Sequence, residues 1–289
     1  MQIDGYTRLA AVVAKPIKHS ISPFIHNYAF NKTGVNGVYI AWEIPESDLA
    51  VTLENVKRYD MFGLNISMPY KQAVIPYLDE VTEAADLIGA VNTIVNQSGK
   101  LVGYNTDGLG FFKSLSAFAD FEVKDKTMTI LGGGGAATAI IAQAAINGAK
   151  HIHIFNQADF LEETKAKALQ LSLKTGVHLE VFPVEDLKLI QEKVLQSDLL
   201  VNATSVGMDG QSMIINDKFT FPEQLMVADV IYQPFETPFL KLVRSRGLKA
   251  VNGLGMLLFQ AAAAFELWTG IEMPSQDIWQ ALAEKYKTK

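Results

Sequence analysis

The fold of this chain is decided by residues 127–146, which read TMTILGGGGAATAIIAQAAI. An apolar segment rich in β-branched residues, Thr127–Leu131, runs directly into four glycines, and an alanine-rich helical pattern follows. Gly132, Gly134 and Ala137 occupy the three key positions of the G-x-G-x-x-G/A fingerprint of dinucleotide-binding proteins. A plain glycine turn between packed elements is the alternative interpretation, but a strand before the turn and a helix after it favour a dinucleotide site.

The glycines of this turn suit a pyrophosphate for physical reasons. Glycine permits the tight turn, and its missing Cβ lets backbone N–H groups approach the phosphates closely. The positive end of the following helix then stabilises the negative charge. The sequence therefore predicts that the turn binds a dinucleotide through Gly132, Gly133, Gly134, Gly135 and Ala136.

Strands and helices alternate on both sides of this turn, which favours mostly parallel sheets. A hairpin is predicted around residues 96–99, Asn-Gln-Ser-Gly. We expect an α/β fold with two domains: an N-terminal, mostly parallel α/β domain and a Rossmann domain. The boundaries predicted from the pattern are residues 1–106 with 246–289 for the first domain, whose C-terminal helices return to it, and residues 107–245 for the Rossmann domain.

Composition excludes several classes of function. The chain has 289 residues, a net charge of −6 and no cysteine, so disulfides, thiolate metal sites and cysteine nucleophiles are excluded. The acidic balance argues against a nucleic-acid or anionic-membrane partner, and no apolar run approaches the roughly 20 residues of a membrane span. Asp4 and Arg8 speak against a signal peptide, so a cytoplasmic protein is expected.

The five histidines do not indicate a metal enzyme. They lack H-E-x-x-H spacing, and His151 and His153 alternate along a predicted strand, where a packing or edge role is expected. No G-x-S-x-G elbow of a serine hydrolase occurs. We therefore expect no metal.

The choice between NAD and NADP depends on the residues after the second Rossmann strand, Asn156-Gln157-Ala158-Asp159. An arginine at this point holds the 2′-phosphate of NADP, whereas an acid accepts from the free 2′-hydroxyl of NAD and repels the phosphate. The segment has no arginine, and Asp159 is its first acid. Asp159 either selects NAD or caps the following helix, and the sequence leaves both interpretations open.

Polar motifs stand at the ends of the N-terminal strands, where the crevice of an α/β sheet lies. Residues 15–23, KPIKHSISP, place Ser20 and Ser22 at a helix start, a suitable position to hold a carboxylate. Residues 63–71, GLNISMPYK, end on a lysine, and residues 89–93 and 103–108 read GAVNT and GYNTDG.

At these motifs the sequence resembles the shikimate dehydrogenase family. The resemblance runs from about residue 11 to residue 268, and three later motifs join it: NATSVGM at 202–208, YQPFETP at 232–238 and GLGMLLFQ at 253–260. Membership implies reversible interconversion of shikimate and 3-dehydroshikimate, with a hydride passing to and from a nicotinamide.

The resemblance implies roles for individual residues. Lys71 and Asp107 match the catalytic pair of the family, and oxidation of an alcohol does require a group that holds the hydroxyl proton. Six residues match substrate-binding positions: Ser20, Ser22, Ser67, Asn92, Tyr232 and Gln260. Besides the glycine turn and Asp159, the cofactor would be contacted by Asn156, Thr204, Ser205, Met208, Gly253 and Met256.

Two departures point to the quinate/shikimate branch of the family. Gln157 stands where ordinary members have an arginine, so NAD is favoured over NADP. Ser67 stands where threonine is usual, and the smaller side chain enlarges the pocket, which could admit quinate. An enzyme for quinate or for an aminated shikimate analogue is one alternative, and a dinucleotide sensor without turnover is another. The predicted partners are small molecules only, and the chain is expected to be a monomer or a homodimer.

Overall fold

A computed structural model describes residues 3–287 and contains two six-stranded sheets with helices around each. The chain divides into two compact units. Unit 1 is formed by residues 1–106 and 258–289, and unit 2 by residues 107–257.

Unit 1 alternates strands with helices. Its first elements are β1 (Arg8–Ala14), α1 (Ser22–Thr33), β2 (Gly37–Glu43), α2 (Leu49–Arg58), β3 (Gly63–Ile66), α3 (Tyr70–Ala73), β4 (Glu80–Val81), α4 (Glu83–Ile88), β5 (Thr93–Gln97) and β6 (Lys100–Tyr104). Short 3-10 turns lie at Glu46–Asp48 and Ile75–Tyr77.

Unit 2 carries a second, regular alternation. Its elements are α5 (Asp107–Ala119), β7 (Thr127–Leu131), α6 (Gly135–Ile146), β8 (His151–Asn156), α7 (Leu161–Thr175), β9 (His178–Pro183), α8 (Leu187–Val194), β10 (Leu199–Asn202), β11 (Met226–Asp229), α9 (Pro238–Ser245) and β12 (Ala250–Val251). A 3-10 turn, Ala158–Phe160, precedes α7. The chain ends in α10 (Leu254–Thr269) and α11 (Ser275–Lys287), and the division between the units falls within α10.

The sheet of unit 1 has the strand order β2-β1-β3-β5-β6-β4. Strand β1 pairs with β2 and β3 in parallel, and β4 pairs with β6 in parallel, whereas β5 runs antiparallel to both β3 and β6. The predicted hairpin is therefore present. Its two turn residues, Ser98 and Gly99, both have positive φ (54° and 93°), as a type I′ turn requires.

The sheet of unit 2 is parallel in all five pairings and has the order β12-β11-β10-β7-β8-β9. Numbered from its first strand, this is the order 3-2-1-4-5-6 of a Rossmann fold. The central strands are mostly apolar and almost wholly buried, as expected for strands covered by helices on both faces.

The predicted C-terminal boundary of the Rossmann domain needs correction. The pattern places residues 246–257 in the first domain, but β12 pairs in parallel with β11 and therefore completes the sheet of unit 2. The two residues of β12 are too few to produce a hydrophobic pattern of their own, so this strand cannot be recognised in the sequence.

Each unit has its own apolar core. In unit 1, Leu49, Leu53 and Val56 of α2 pack on Leu64 and Ile66 of β3. In unit 2 the corresponding cluster joins the sheet to α8 and α9, and it includes Leu131, Phe155, Ile190, Leu200, Val227 and Val243. Among the residues from 3 to 287, no helix is long and apolar enough to cross a membrane.

A histidine is fully buried within unit 1. His26 of α1 stacks on Tyr39, with ring centroids 4.2 Å apart, and no residue in the described part of the chain hydrogen-bonds either ring nitrogen. Burial disfavours the charged imidazolium and lowers the pKa of His26 from 6.5 to about 3.

We expect this histidine to make the fold acid-sensitive. The pKa of His26 is lower in the folded state than in the unfolded state, so its contribution to the free energy of unfolding is fully present above about pH 6.5. As pH falls from there toward 3, the unfolded state binds a proton and the folded state does not. The free energy of unfolding then decreases by about 1.4 kcal/mol per pH unit. Urea unfolding at pH 7 and pH 4.5 should show that His26→Leu loses less stability on acidification than the wild type. Equal losses in the two proteins would contradict this assignment.

Candidate functional site

The glycine turn of unit 2 joins β7 to α6, as the sequence predicts. Gly132 has φ of 113°, a conformation that favours glycine, and a Cβ there would lie 2.9 Å from the carbonyl oxygen of Ala203. A Cβ on Gly133 would lie 2.1 Å from the side-chain nitrogen of Asn156. The turn therefore lies against the ends of both neighbouring strands, β8 and β10.

The amino terminus of α6 presents open backbone. Gly134 is the N-cap residue and has no side chain that could cap the helix. A Cβ on Gly134 or on Gly135 would meet no atom within 4 Å. The first N–H groups of the helix, including that of Ala136, are thus arranged as in sites that bind a phosphate. This geometry fits a dinucleotide.

The segment that selects the adenosine ribose follows β8. Asn156 donates from its side-chain nitrogen to the Thr164 hydroxyl (2.9 Å) and accepts from the Gln157 backbone N–H (2.9 Å). Asp159 is exposed in the 3-10 turn before α7. Because α7 begins at Leu161 with Phe160 at the cap position, the alternative that Asp159 caps this helix is wrong.

A buried carboxylate organises the loops after β10 and β11. Asp229 accepts hydrogen bonds from the Thr237 hydroxyl (2.7 Å), the Ile231 backbone N–H (3.0 Å) and the Asn202 side chain (3.1 Å). Burial nevertheless raises the pKa of Asp229 above its ordinary value, and these hydrogen bonds oppose that shift. Asn202 in turn accepts from the Thr204 hydroxyl at 2.8 Å.

Five further predicted residues lie on these loops of unit 2 or just beyond them. Thr204 is partly buried, whereas Ser205 and Met208 are exposed. Gly253 is in tight contact with backbone, since a Cβ there would lie 1.9 Å from the Val230 carbonyl oxygen. Met256 is partly buried in α10.

Asp107 and Tyr232 complete the predicted residues of unit 2. Asp107 is the first residue of α5 and is 7% exposed, although it follows a loop. Tyr232 lies in the loop after β11, and burial raises the pKa of its hydroxyl.

Predicted substrate and catalytic residues of unit 1 follow the ends of β1 and β3, either in the loop or in the helix that comes next. Ser22 is the first residue of α1, and its backbone N–H donates to the Ser20 hydroxyl at 3.2 Å. Ser67 follows β3 and donates its N–H to the Val13 carbonyl (2.9 Å). Lys71 is partly buried in the short helix α3.

The backbone around Lys71 is held firmly. The neighbouring Tyr70 is buried and donates its hydroxyl to the Ile44 carbonyl at 2.7 Å. The Lys71 carbonyl accepts from the Val91 N–H at 2.8 Å, which ties α3 to the segment that carries Asn92. Asn92 itself accepts from the Thr106 N–H (2.8 Å) and donates to the Thr106 hydroxyl (3.0 Å).

The sequence did not reveal a buried polar network that reaches Asn92. The Tyr39 hydroxyl donates to the Asn65 side-chain oxygen at 2.7 Å. Asn65 donates to the Asn92 carbonyl (3.3 Å) and to the Thr93 hydroxyl (3.0 Å). Such satisfied networks fix side-chain positions, so Tyr39 and Asn65 hold the predicted substrate residue Asn92 in place. Gln260, the last predicted residue of unit 1, is partly buried in α10.

The fold of unit 2 and its glycine turn define the Rossmann class of dinucleotide-binding proteins. Comparison with known proteins makes the assignment more specific. Residues 12–94 match the family described as the shikimate dehydrogenase substrate binding domain, and residues 253–283 match the shikimate 5'-dehydrogenase C-terminal domain.

Full-length relatives agree with these matches. The chain is 82% identical over its whole length to a protein of Streptococcus mutans named shikimate dehydrogenase (NADP(+)), and 65% identical to one of the same name from Streptococcus suis; both matches cover 100% of each chain. A crystal structure of shikimate 5-dehydrogenase from Listeria monocytogenes, in complex with shikimate and NAD, superposes with a TM-score of 0.93 at 40% identity and 98% coverage of both chains. The chain belongs to the shikimate dehydrogenase family.

Proposed function

We propose that this protein is an NAD(P)-dependent shikimate dehydrogenase that interconverts shikimate and 3-dehydroshikimate. The observation that carries the proposal is the 82% identity, over every residue, to a relative bearing that name. The Rossmann order of the second sheet and the glycine turn before α6 support it independently, because they supply a dinucleotide site.

The proposed reaction needs a place for one proton. When bound, the nicotinamide supplies the hydride acceptor for the alcohol carbon of shikimate. The proton of that hydroxyl must leave at the same time, and we assign it to the side-chain nitrogen of Lys71. The Asp107 carboxylate is assigned to accept a hydrogen bond from a ring hydroxyl and so to orient the substrate.

The remaining proposed contacts position the ring. Ser20 and Ser22 donate their hydroxyls to the substrate carboxylate, an arrangement that the helix start at Ser22 favours. Hydrogen bonds to the ring hydroxyls or the carboxylate are assigned to Ser67, Asn92, Tyr232 and Gln260. A second candidate, a dinucleotide sensor without turnover, is disfavoured because binding alone requires neither Lys71 nor Asp107.

We propose further that NAD serves at least as well as NADP. Gln157 cannot provide the charged clamp that arginine offers a 2′-phosphate. The segment that follows is acidic, with Asp159 in the 3-10 turn and Glu162 and Glu163 in the first turn of α7. The NADP(+) in the names of the two streptococcal relatives points the other way, whereas the Listeria relative was solved with NAD.

Quinate is proposed as a second substrate of the same site. Ser67 lacks the methyl group of threonine, and one methyl in a pocket changes discrimination by about 1–3 kcal/mol. The enzyme is proposed to act in the cytoplasm as a monomer or a homodimer, which sedimentation would distinguish. The absence of cysteine fits a reducing compartment.

The test is steady-state kinetics over four combinations: shikimate or quinate, each with NAD or NADP. We expect turnover of shikimate with NAD at a kcat/KM equal to or above that with NADP. Gln157→Arg should raise the NADP/NAD ratio of kcat/KM by about 10- to 100-fold, since a charge-assisted hydrogen bond contributes about 1.5–3 kcal/mol.

Gln211→Arg is the matched control, because Gln211 is also exposed in unit 2 and the substitution adds the same charge at a different place. Efficient turnover with NADP alone would overturn the cofactor preference and leave the dehydrogenase assignment intact. Turnover of neither substrate with either cofactor would overturn the function itself.

A further inference from the structure

Four titratable side chains gather on one face of the unit 2 sheet, at the beginning of β8 and β9. His151 is in register with His178, and His153 is in register with Glu180. Residues in register on parallel neighbours, and residues two apart on one strand, project from the same face. The four side chains therefore form a square on that face.

Three of these side chains direct ligand atoms at one point. His151 Nε2 lies 2.8 Å from His178 Nδ1 and 2.9 Å from Glu180 Oε2. The ligand atoms of all three residues lie within 4.8 Å of one another. A neutral imidazole nitrogen either carries one proton or accepts one. If His151 Nε2 is protonated, its one proton faces two acceptors; if His178 Nδ1 donates to it, His151 Nε2 faces the Glu180 carboxylate without a proton.

Hydrogen bonding places a proton on Nδ1 of His153. The Ser197 hydroxyl donates to the Lys193 carbonyl (2.9 Å), so it accepts from the Thr129 hydroxyl (2.8 Å). The Thr129 oxygen is then the acceptor for Nδ1–H of His153 (3.3 Å). A neutral His153 protonated at Nδ1 has a bare Nε2.

That bare nitrogen faces a carboxylate. His153 is 1% exposed, and its Nε2 lies 3.6 Å from Glu180 Oε2 without a hydrogen-bond partner in the part of the chain that the structure describes. Lys193 Nζ, 3.2 Å from Glu180 Oε2, is the charged group that faces the cluster from α8.

We propose that His151, His178 and Glu180 bind a divalent transition-metal ion, with Zn²⁺ the best fit. Two imidazoles and one carboxylate form a typical three-ligand zinc set, and a water or the bare His153 nitrogen completes the tetrahedron. Imidazole ligands favour Zn²⁺, Ni²⁺ and Cu²⁺ over Mg²⁺ and Ca²⁺.

Two of the three distances between ligand atoms are close to those that this ion requires. Zinc bonds of about 2.0–2.1 Å place tetrahedral ligand atoms roughly 3.3 Å apart, so the two short contacts at His151 need to open by only about 0.5 Å. His178 is exposed, which gives the ion a route from solvent. A cation would also attract the imidazole nitrogens and the Glu180 carboxylate, whose lone pairs otherwise face one another. The proposal departs from the sequence-based expectation of no metal.

The site is structural rather than catalytic. His151 begins β8, whereas Asn156, beside the glycine turn, ends it, so the two lie about 16 Å apart at the usual rise per residue. A metal ion here would join the edge strand β9 to β8. We therefore expect it to stabilise unit 2 without changing kcat.

The test uses the whole protein, freed of metal with EDTA and then dialysed, and titrated with ZnCl₂ by calorimetry. We expect one equivalent to bind. At a free concentration of 100 times Kd, the thermal midpoint should rise by about 5–10 °C. With Cu²⁺ as the probe, electron paramagnetic resonance should show nitrogen coordination that is reduced in His178→Ala.

Matched variants separate this site from weak surface binding. His178→Ala and Glu180→Gln, both at the solvent-accessible edge strand, should lose the stoichiometric binding and the rise in midpoint. His19→Ala and Glu185→Gln, which change exposed residues outside the cluster, should retain both. The proposal is overturned if the wild type shows no saturable binding or if His178→Ala binds as the wild type does. Because no step depends on turnover, the outcome is independent of the dehydrogenase assignment.

Discussion

Replacing Lys71 with alanine is expected to lower kcat for shikimate oxidation by about 100- to 10,000-fold, the range over which a positioned acid–base group acts. The reason is that the methyl side chain of the variant would leave no group at this position to hold the hydroxyl proton. Since Lys71 is only partly buried and the fold around it is anchored by Tyr70, the thermal midpoint should change little. Steady-state kinetics and thermal unfolding of the same sample check both expectations.

Two further variants separate proton transfer from simple charge. Lys71→Arg keeps the positive charge but cannot release a proton, so it should be about as inactive as Lys71→Ala. Lys100→Ala removes an exposed lysine that pairs with Glu80 at the hairpin and should retain full activity. Substantial recovery in Lys71→Arg would instead assign an electrostatic role, and a fully active Lys71→Ala would refute the catalytic assignment.

The second large effect is expected at Gly253. An alanine there would place its Cβ 1.9 Å from the Val230 carbonyl oxygen and 2.4 Å from the Val230 carbonyl carbon. These are backbone atoms next to the end of β11, so the loop itself must move. We expect Gly253→Ala to lower the free energy of unfolding by about 3 kcal/mol or more, measured by urea denaturation.

Gly5→Ala is the control, because a Cβ at Gly5 meets no atom within 4 Å, and its stability should match the wild type. The experiment also distinguishes two roles for Gly253. The resemblance to the family implies contact with the cofactor, whereas its surroundings imply close backbone packing. A stable Gly253→Ala protein with a raised KM for the cofactor would contradict the packing role.

Local patterns predicted much of this fold. The strand, glycine turn and helix at residues 127–146 occur as expected because each is determined by neighbours in sequence. The hairpin followed from the turn-forming segment 96–99, Asn-Gln-Ser-Gly, in which Gly99 readily adopts positive φ. The pairing of β12 with β11 was missed because register between distant short strands leaves no local trace.

In the candidate sites too, contacts between segments distant in sequence could not be predicted from local patterns. His151 and His153 indicated a packing role, since their spacing along one strand says nothing of His178 and Glu180 on the next. The link from Tyr39 through Asn65 to Asn92 also joins three separate segments. Motifs identified the residues that touch ligands in the family, but not the residues that hold them.

The composition of unit 1 from two distant segments has a consequence for synthesis on the ribosome. Trp268 of α10 donates its indole N–H to the Ile94 carbonyl of β5 at 2.9 Å, although the two residues are 174 positions apart in the sequence. At translation rates of about 5–20 residues per second, α10 is synthesised roughly 10–35 s after β5, so the sheet of unit 1 lacks this helix during that time. Unit 2, whose residues are continuous, emerges entirely during that interval. The nascent N-terminal sheet therefore stays open to non-native contacts during that interval.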